Sequence, residues 1–338
     1  MKYQVNVGQV KKIQSEIWDR IKSTFSFRKG YGEPVPVFGH YGGIFKCGNE
    51  QLVIHTDGVG TKILVAEALG KYDTVGIDAV AMSVNDILCL GAEPLVGVDY
   101  IALEKEDHEL VGEIVKGLVK GAEESGCAII GGETAIIPDI IKGLEEKEGG
   151  KKGRAFDLTF TVVGKVRKLT LGNEIVKGDV VVGLESSGLH SNGFSLARKA
   201  LDIKKWGNEM LTPTRIYAST ILEVIDTCDV HGIGHITGGG FSKLTRLNAN
   251  VGYKLNALPA PKPIFEALAD KVKNPAEMYK TFNMGIGMVV ILPRDRAETV
   301  VNIAKKHGVE AMVVGEITDK KGVWITDPKT KKELDVTI

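Results

Sequence analysis

The sequence predicts a two-domain protein of the α/β class, with strands and helices layered in the α+β manner. Three observations support this fold. Strand-like and helix-like apolar patterns alternate along the chain. The chain has 338 residues and is 43% hydrophobic, which is enough for two cores. The pattern restarts with a new strand after Gly178, so we expect one domain over residues 1–168 and a second over residues 169–338.

The first domain is predicted to contain four strands and two helices. The first helix is amphipathic, because Val80, Val84 and Ile87 recur at helical spacing. A charged, glycine-rich run at residues 142–154 is predicted to form an exposed loop. The strands are expected at residues 52–56, 94–102, 127–130 and 158–166, and the helices at residues 73–90 and 108–125.

The second domain is predicted to begin with a strand over residues 180–184 and a loop over residues 186–193. We expect a helix to begin near Thr212, because Pro213 suits the first position of a helix. The later elements are a strand after Asn283, a helix over residues 295–307, and a terminal pair of strands around Val313 and Trp324.

Composition and charge exclude several kinds of partner. Lys plus Arg and Asp plus Glu both total 43, so no overall positive field attracts nucleic acid or an anionic membrane. The four cysteines form no CxxC pair, which argues against a zinc ribbon, a redox dithiol or a secreted disulfide framework. The first residues lack the apolar core of a signal peptide, and no stretch is long enough to span a membrane. We therefore expect a cytoplasmic protein.

The 41 glycines exceed ordinary usage and gather in clusters. Glycine lets the main chain approach a ligand closely, so the clusters predict ligand-binding loops, although tight turns could explain any single one. The P-loop motif GxxxxGK[ST], a GxGxxG motif after a strand, and GxSxG are all absent, so any phosphate binding uses another design. The clusters lie at residues 42–43, 58–60, 131–132, 188–193 and 238–240.

Acidic and amide side chains accompany the glycines of the first domain. Such oxygen ligands are the ones that Mg²⁺ prefers when it binds beside a polyphosphate, and Lys62 could add a compensating positive charge. Asp57 could instead form a turn and Glu133 a cap, whereas Asp78 and Asn85 could share a solvated helix face. The last two are about 10 Å apart along a helix and cannot share one ion directly. The candidates are Asp57, Asp78, Asn85, Asp86 and Glu133.

Two loops of the second domain could bind an anionic substrate. Residues 186–193 follow a strand and precede a helix, where backbone N–H groups suit an anion. His190 in this loop could exchange a proton near neutral pH, and capping of the helix is the competing interpretation. Residues 235–240 offer a second phosphate cradle, in which His235 could also serve as a structural hydrogen-bond partner. His55 and the remaining histidines show no metal-ligand spacing, which argues against a catalytic zinc site.

Seven long motifs follow one another along almost the whole chain. They are HTDGVGTK (55–62), DTVGIDAVAMSVNDILCLGAEPL (73–95), GCAIIGGETA (126–135), GDVVVGLESSGLHSNGFSLARK (178–199), LTPTRIYA (211–218), HITGGGF (235–241) and EMYKTFNMGIGMV (277–289). In this order they resemble the phosphoribosylformylglycinamidine cyclo-ligase family, also called the aminoimidazole ribonucleotide synthetases. Because several long motifs must match together, the resemblance is highly specific.

The resemblance implies a fold, a reaction and a partner. The fold would be that of aminoimidazole ribonucleotide synthetase, in which the N-terminal mixed sheets of a homodimer combine into a barrel and the C-terminal domain is α/β. The substrate would be formylglycinamidine ribonucleotide, a small molecule of purine biosynthesis. In this family the γ-phosphate of ATP activates the formyl oxygen, and the amidine nitrogen then attacks the formyl carbon. Mg²⁺ is required, and ADP and phosphate are released.

The resemblance also implies roles for individual residues. Lys62 would lie near phosphate as a catalytic group, and His190 would transfer a proton. The Mg-ATP side would be formed by Asp57, Gly58, Gly60, Asp78, Asn85, Asp86, Gly131, Gly132, Glu133 and Thr134. The Mg²⁺ ligands among these would be Asp57, Asp78, Asp86 and Glu133. The ribonucleotide would contact Ser187, His190, Ser191, Asn192, Thr237, Gly238, Gly239, Gly240 and Asn283.

The chain departs from the family pattern in two places that concern nucleotide contacts. Ile136 stands where many members have an acidic residue, and residues 242–245 read SKLT in place of ENIP, with Arg246 retained. One alternative is a related enzyme of the same superfamily, but a selenophosphate synthetase would need a reactive cysteine in its glycine loop, and Cys47 lies after that loop. A second alternative is a nucleotide-binding homologue without turnover.

Overall fold

Two β-sheets organise the structure, one in each half of the chain. The computed structural model describes residues 13, 16–37, 39–142 and 154–337. Thus the exposed loop predicted at residues 142–154 lies, apart from its two ends, outside the described residues. The last strand of the first sheet ends at Val166, and the first strand of the second sheet begins at Val180. The domain boundary expected at Lys168 falls between them.

The first sheet has the strand order β1-β2-β3-β6-β4-β5. Its neighbouring strands are antiparallel, except that β4 and β5 run parallel. Strand β6 is the last of these strands in the chain, but it lies between β3 and β4 and pairs with both. The strands are β1 (Pro34–Val35), β2 (Gly43–Cys47), β3 (Glu50–Gly58), β4 (Ala92–Leu103), β5 (Ala128–Ile136) and β6 (Phe156–Val166).

Three helices accompany this sheet: α1 (Ile63–Leu69), α2 (Val75–Leu88) and α3 (His108–Ser125). The predicted bounds of α3 are confirmed, because Asp107 caps its first turn and Gly126 ends it in the left-handed conformation. Every residue of α2 except Ile77 is buried. The apolar stripe of α2 packs toward the sheet, and its polar face packs against the second domain. The solvated helix face considered for α2 is therefore wrong.

Strand β5 continues beyond its predicted end at residue 130 and includes the glycine pair 131–132. The reason is its partner: β4 offers β5 parallel pairing as far as Leu103, opposite Ile136. Gly132 is required by close packing, since a Cβ there would lie 2.4 Å from Asp99 Oδ1. The pair 131–132 thus allows two strands to approach each other and does not form a loop.

The second sheet has the strand order β13-β12-β9-β11-β7-β10-β8, and only the β9/β12 pair is parallel. The strands expected around Val313 and Trp324 are present as β11 and β12, but they do not pair with each other, because β9 lies between them and hydrogen-bonds to both. The strands are β7 (Val180–Glu185), β8 (Gly232–His235), β9 (Gly252–Leu255), β10 (Ile286–Leu292), β11 (Ala311–Thr318), β12 (Gly322–Thr326) and β13 (Glu333–Asp335).

The helix expected near Thr212 begins only at Ala218. Residues 212–217 stay irregular because their backbone N–H groups donate to side chains of α2: Thr214 N–H donates to Asp78, and Tyr217 N–H donates to Asn85. The helices of this half are α4 (Phe194–Ala200), α5 (Ile203–Met210), α6 (Ala218–Thr227), α7 (Pro263–Ala269), α8 (Pro275–Thr281) and α9 (Ala297–Lys306). None of the helices in the described part of the chain is both long and apolar enough to cross a membrane.

Candidate active site

His55, Asp57 and Asp86 bring their ligand atoms within 4.8 Å of one another. His55 and Asp57 lie two residues apart on β3 and so point to the same face of the sheet. That face carries α2, which supplies Asp86 from its last turn. His55 Nε2 lies 3.3 Å from Asp86 Oδ2. The three side chains form one cluster at the junction of sheet and helix, which we call the acidic cluster.

The two carboxylates of the acidic cluster differ in their electrostatics. Burial, together with the negative charge of Asp86, raises the pKa of Asp57. Burial alone would also raise the pKa of Asp86, but the hydrogen bond and charge of His235, followed by the charge of His55, hold that pKa below its ordinary value. Asp86 therefore ionises more readily than Asp57, and a bound cation would favour the ionisation of Asp57.

Two predicted members of this site lie elsewhere. Lys62 and Asp78 are both fully buried and form an ion pair 2.8 Å long. The Lys62 ammonium also donates to the carbonyl oxygens of His190 and Thr212, at 3.1 and 2.7 Å. Burial lowers the pKa of Lys62, and Asp78 opposes that shift. Asp78 is thus placed outside the acidic cluster, where it ties the two domains together, and the metal role expected for it stays a prediction.

Glu133 is also separated from the acidic cluster. In the register of the sheet it stands opposite Tyr100, whereas Asp99, one residue earlier, aligns with Asp57 through β6. Since alternate residues of a strand point to opposite faces, Glu133 points away from Asp57. Gly131 shares the face of Glu133, and Gly132 and Thr134 lie on the other. Asp57 and Glu133 therefore do not face each other within this chain, and the metal role expected for Glu133 stays a prediction.

The loop over residues 186–193 is held by its own hydrogen bonds. Ser187 N–H donates to His190 Nε2 at 3.2 Å, and Asn283 Nδ2 donates to Gly188 O at 2.9 Å. His190 is fully buried at φ 60°, and Ser191 Oγ is buried with no hydrogen-bond partner among the residues that the structure describes. Burial, then the positive charges nearby, lowers the pKa of His190 well below 6.5. His190 and Asn283 shape the loop in this structure, and their roles toward the ribonucleotide remain predictions.

The second predicted cradle, residues 237–240, lies beside that loop. A Cβ on Gly238 would come 3.0 Å from Asn192 Oδ1, so the two loops touch. Gly239 and Gly240 have φ of 93° and 53°, which favours glycine at both positions. A short 3₁₀ helix, Gly240–Arg246, follows and carries two cationic side chains, Lys243 and Arg246.

One of those cations, Lys243, acts on the acidic cluster. Arg246 stacks over the Tyr41 ring at 5.1 Å, and the charge of Lys243 adds to the groups that lower the pKa of Asp86. Residues 242–245, where the sequence departs from the pattern ENIP, thus place a positive charge beside a carboxylate. Such a pairing suits a ligand that carries both a cation and phosphate groups.

His55 was not identified from the sequence as a member of this site, and Asp99 was not singled out. The spacing of His55 and Asp57 was itself a signal, since residues two apart on a strand share a face. Asp99 points to the same face as Asp57, and burial raises its pKa. By contrast, no sequence spacing could have revealed the contact between His235 and Asp86, which are 149 residues apart. Gly58 and Gly60 are placed as predicted, at the end of β3 beside Asp57 and at the turn into α1.

Two families of protein domains match this chain. Residues 39–166 match the AIR synthase related protein, N-terminal domain, and residues 176–327 match the AIR synthase related protein, C-terminal domain. Among solved structures, AaThiL complexed with AMPPCP and TMP superposes with a TM-score of 0.65 at 16% identity, covering 91% of this chain and 92% of that one. The hydrogenase maturation protein HypE in complex with ATP superposes with a TM-score of 0.63 at 17% identity, covering 90% of both chains. At such low identity, these structures establish the fold.

Curated relatives give a more specific result. The phosphoribosylformylglycinamidine cyclo-ligase of Thermococcus kodakarensis is 43% identical over 318 residues, covering 90% of both chains. Its namesake from Methanobrevibacter smithii is 42% identical over 340 residues, covering 96% of this chain and 94% of the relative. One from Methanococcus maripaludis strain S2 is 45% identical, covering 89% and 86%. The chain therefore belongs to the phosphoribosylformylglycinamidine cyclo-ligase family.

Proposed function

We propose that this chain closes the imidazole ring of aminoimidazole ribonucleotide from formylglycinamidine ribonucleotide, with ATP converted to ADP and phosphate, as a step of purine biosynthesis. The observation that carries this proposal is the acidic cluster of His55, Asp57 and Asp86, set beside two glycine-containing loops in a chain of this family. Phosphorylation of the formyl oxygen makes it a good leaving group, so the site must hold a polyphosphate next to the ribonucleotide.

The acidic cluster fits Mg²⁺. Two carboxylates are held close together, and burial next to Asp86 raises the pKa of Asp57, a mutual repulsion that a divalent cation would relieve. Asp57 and Asp86 would hold the ion, which would neutralise phosphate charge when bound. Lys243 and Arg246, on the short helix that follows the glycines, would supply positive charge for phosphate oxygens.

The contribution of the second domain is to position the ribonucleotide. Loops 186–193 and 237–240 present backbone N–H groups next to each other and suit the anionic phosphate of a nucleotide. Ser187, Ser191, Asn192 and the loop at 237–240 stay our candidates for these contacts.

Substrate-dependent phosphate release tests this function. Purified protein should release phosphate from ATP in the presence of Mg²⁺ and formylglycinamidine ribonucleotide, and not without the ribonucleotide. Asp57→Asn should reduce that rate at least a hundredfold, on the scale of losing a metal ligand. Asp335→Asn is the control, because Asp335 likewise accepts from a backbone N–H but is exposed on β13 of the second sheet. Binding of ATP without substrate-dependent release would contradict the proposal.

We further propose a homodimer formed through the outer face of the first sheet. Ile54, Val98 and Tyr100 point to this face and are 43%, 38% and 38% exposed. Apolar side chains gathered on one sheet face favour burial against a partner. Val98→Asp should shift the mass in sedimentation velocity from dimer to monomer, while Val119→Asp, at an exposed apolar position of α3, should not. A wild-type monomer at micromolar concentration would contradict this assembly.

The compartment remains a proposal as well. All four cysteines are free thiols, the state expected in the reducing cytoplasm.

A further inference from the structure

His235 is held on both ring nitrogens by two neighbouring residues of α2. It ends strand β8 in the second domain and is fully buried. Its Nδ1 lies 2.7 Å from Asp86 Oδ1, and its Nε2 lies 3.5 Å from Asn85 Nδ2. A single imidazole from one domain is thus clamped by consecutive side chains of the other.

The amide of Asn85 has a fixed orientation. Its Oδ1 accepts a hydrogen bond from Tyr217 N–H at 3.1 Å, and its Nδ2 donates to Arg215 O at 2.8 Å. A backbone N–H can only donate and a carbonyl can only accept, so the amide cannot be flipped without losing both bonds. The group that Asn85 turns toward His235 is therefore a donor.

That orientation determines where His235 carries its proton. Facing a donor, Nε2 must present its lone pair, and the ring proton then lies on Nδ1, which points at Asp86 Oδ1. Asp86 thus accepts a hydrogen bond on one oxygen. Its other oxygen, Oδ2, is the one that faces His55 at 3.3 Å, inside the acidic cluster.

We propose that His235 is a positioning residue: clamped between Asn85 and Asp86, it fixes the carboxylate of Asp86 so that Oδ2 is directed at the cation of the acidic cluster. Groups that hydrogen-bond to a ligating carboxylate orient it and typically change metal affinity by about 10–100-fold. The inference rests on the proposed function, since it assigns the acidic cluster to a metal ion. Because His235 belongs to the second domain, the metal site is complete only when the two domains are docked.

Two substitutions of His235 distinguish the roles of its two ring nitrogens. His235→Asn places an amide donor near the position of Nδ1 and can keep the hydrogen bond to Asp86. His235→Gln extends to the position of Nε2 and loses that donor. His231→Asn is the control: His231 precedes the same strand and has its own bond to a carboxylate, Nδ1 to Asp179 Oδ2 at 2.7 Å, away from the acidic cluster.

Binding of Mn²⁺ to the ligand-free protein, followed by electron paramagnetic resonance, provides the readout without turnover. We expect His235→Asn and the His231 control to bind within about threefold of wild type, and His235→Gln to bind about 10–100-fold more weakly. Equal affinities for the two His235 variants would overturn the positioning role. Thermal unfolding of each variant identifies any loss of fold, and if His235→Gln does not fold, ¹⁵N shifts of wild-type His235 decide: a proton on Nε2 refutes the proposal.

Kinetics give a second test. In His235→Gln the KM for Mg-ATP should rise while the KM for the ribonucleotide stays within about twofold, because only the metal side is disturbed. A parallel rise of both KM values would indicate a general loss of domain docking and contradict the proposal. Failure of the wild-type protein to bind Mn²⁺ would instead contradict the metal site itself, so the two failures are distinguishable.

Discussion

Replacing Lys62 by Met should destabilise the protein far more than removal of a surface charge. Lys62 is fully buried, and its ammonium contacts Asp78, His190 O and Thr212 O at 2.7 to 3.1 Å. Met has a similar length but cannot donate, so Lys62→Met leaves the Asp78 carboxylate buried without its counter-ion.

The magnitude follows from that unpaired charge. Breaking a buried ion pair by removing one partner costs about 3–5 kcal/mol. Asp78 keeps hydrogen bonds from Thr214 N–H and Thr214 Oγ1, at 2.8 and 2.6 Å, which places the expected loss at the lower end, about 3 kcal/mol. The double variant Lys62→Met/Asp78→Asn removes both charges and should lose about 1–3 kcal/mol less than the sum of the single variants.

Urea unfolding followed by circular dichroism measures these free energies of unfolding. Lys120→Met is the control, because Lys120 lies 2.9 Å from Glu123 on α3 but is 53% exposed, and such a pair contributes at most about 1 kcal/mol. A loss for Lys62→Met no larger than that of the control would refute the reasoning, since it would mean that the Lys62–Asp78 pair is hydrated and does not join the domains.

Two further predictions concern pH and packing. Burial lowers the folded pKa of His190 below its unfolded value of 6.5, so the buried neutral imidazole destabilises nothing above that pH. Below it, the free energy of unfolding should fall by about 1.4 kcal/mol per pH unit, because the unfolded state binds the proton more tightly. Asn tolerates the positive φ at position 190. In urea titrations from pH 7 to 5, the free energy of unfolding of His190→Asn should therefore fall less steeply than that of the wild type, and equal slopes would contradict this. Gly76→Ala should cost about 1–3 kcal/mol, because its Cβ would lie 2.2 Å from Leu118 N, whereas Gly112→Ala, with open space around it on α3, should stabilise by up to about 1 kcal/mol. Thermal unfolding compares the two, and equal shifts would refute the close packing of α2 on α3.

Local signals in the sequence were sufficient for much of the fold. The bounds of α3 follow from Asp107 and Gly126, which cap the helix whatever it packs against. The apolar stripe of α2 predicted its existence and the side that faces the sheet. Asp57 was identified because it is a carboxylate beside glycines at the end of a predicted strand, a combination that suits Mg²⁺ next to a polyphosphate.

The face of each side chain at the site depended on register. Glu133 and Asp57 are both acidic residues next to glycines in the sequence. However, β5 pairs with β4 in a register that points Glu133 away from Asp57. A shift of one residue would have reversed this, and no local pattern in a glycine-rich strand specifies the register.

Contacts between the domains were decided only by the tertiary structure. The sequence by itself determined which residues can carry a charge or a titratable proton: Lys62, Asp78, Asp86 and His235 are all present in it. It could not determine that Lys62 would pair with Asp78, or that Asp86 would meet His235 across 149 residues. The physical reason is that the polar face of α2 is buried by another domain, and burial forces each charge to take the partner that docking brings within reach.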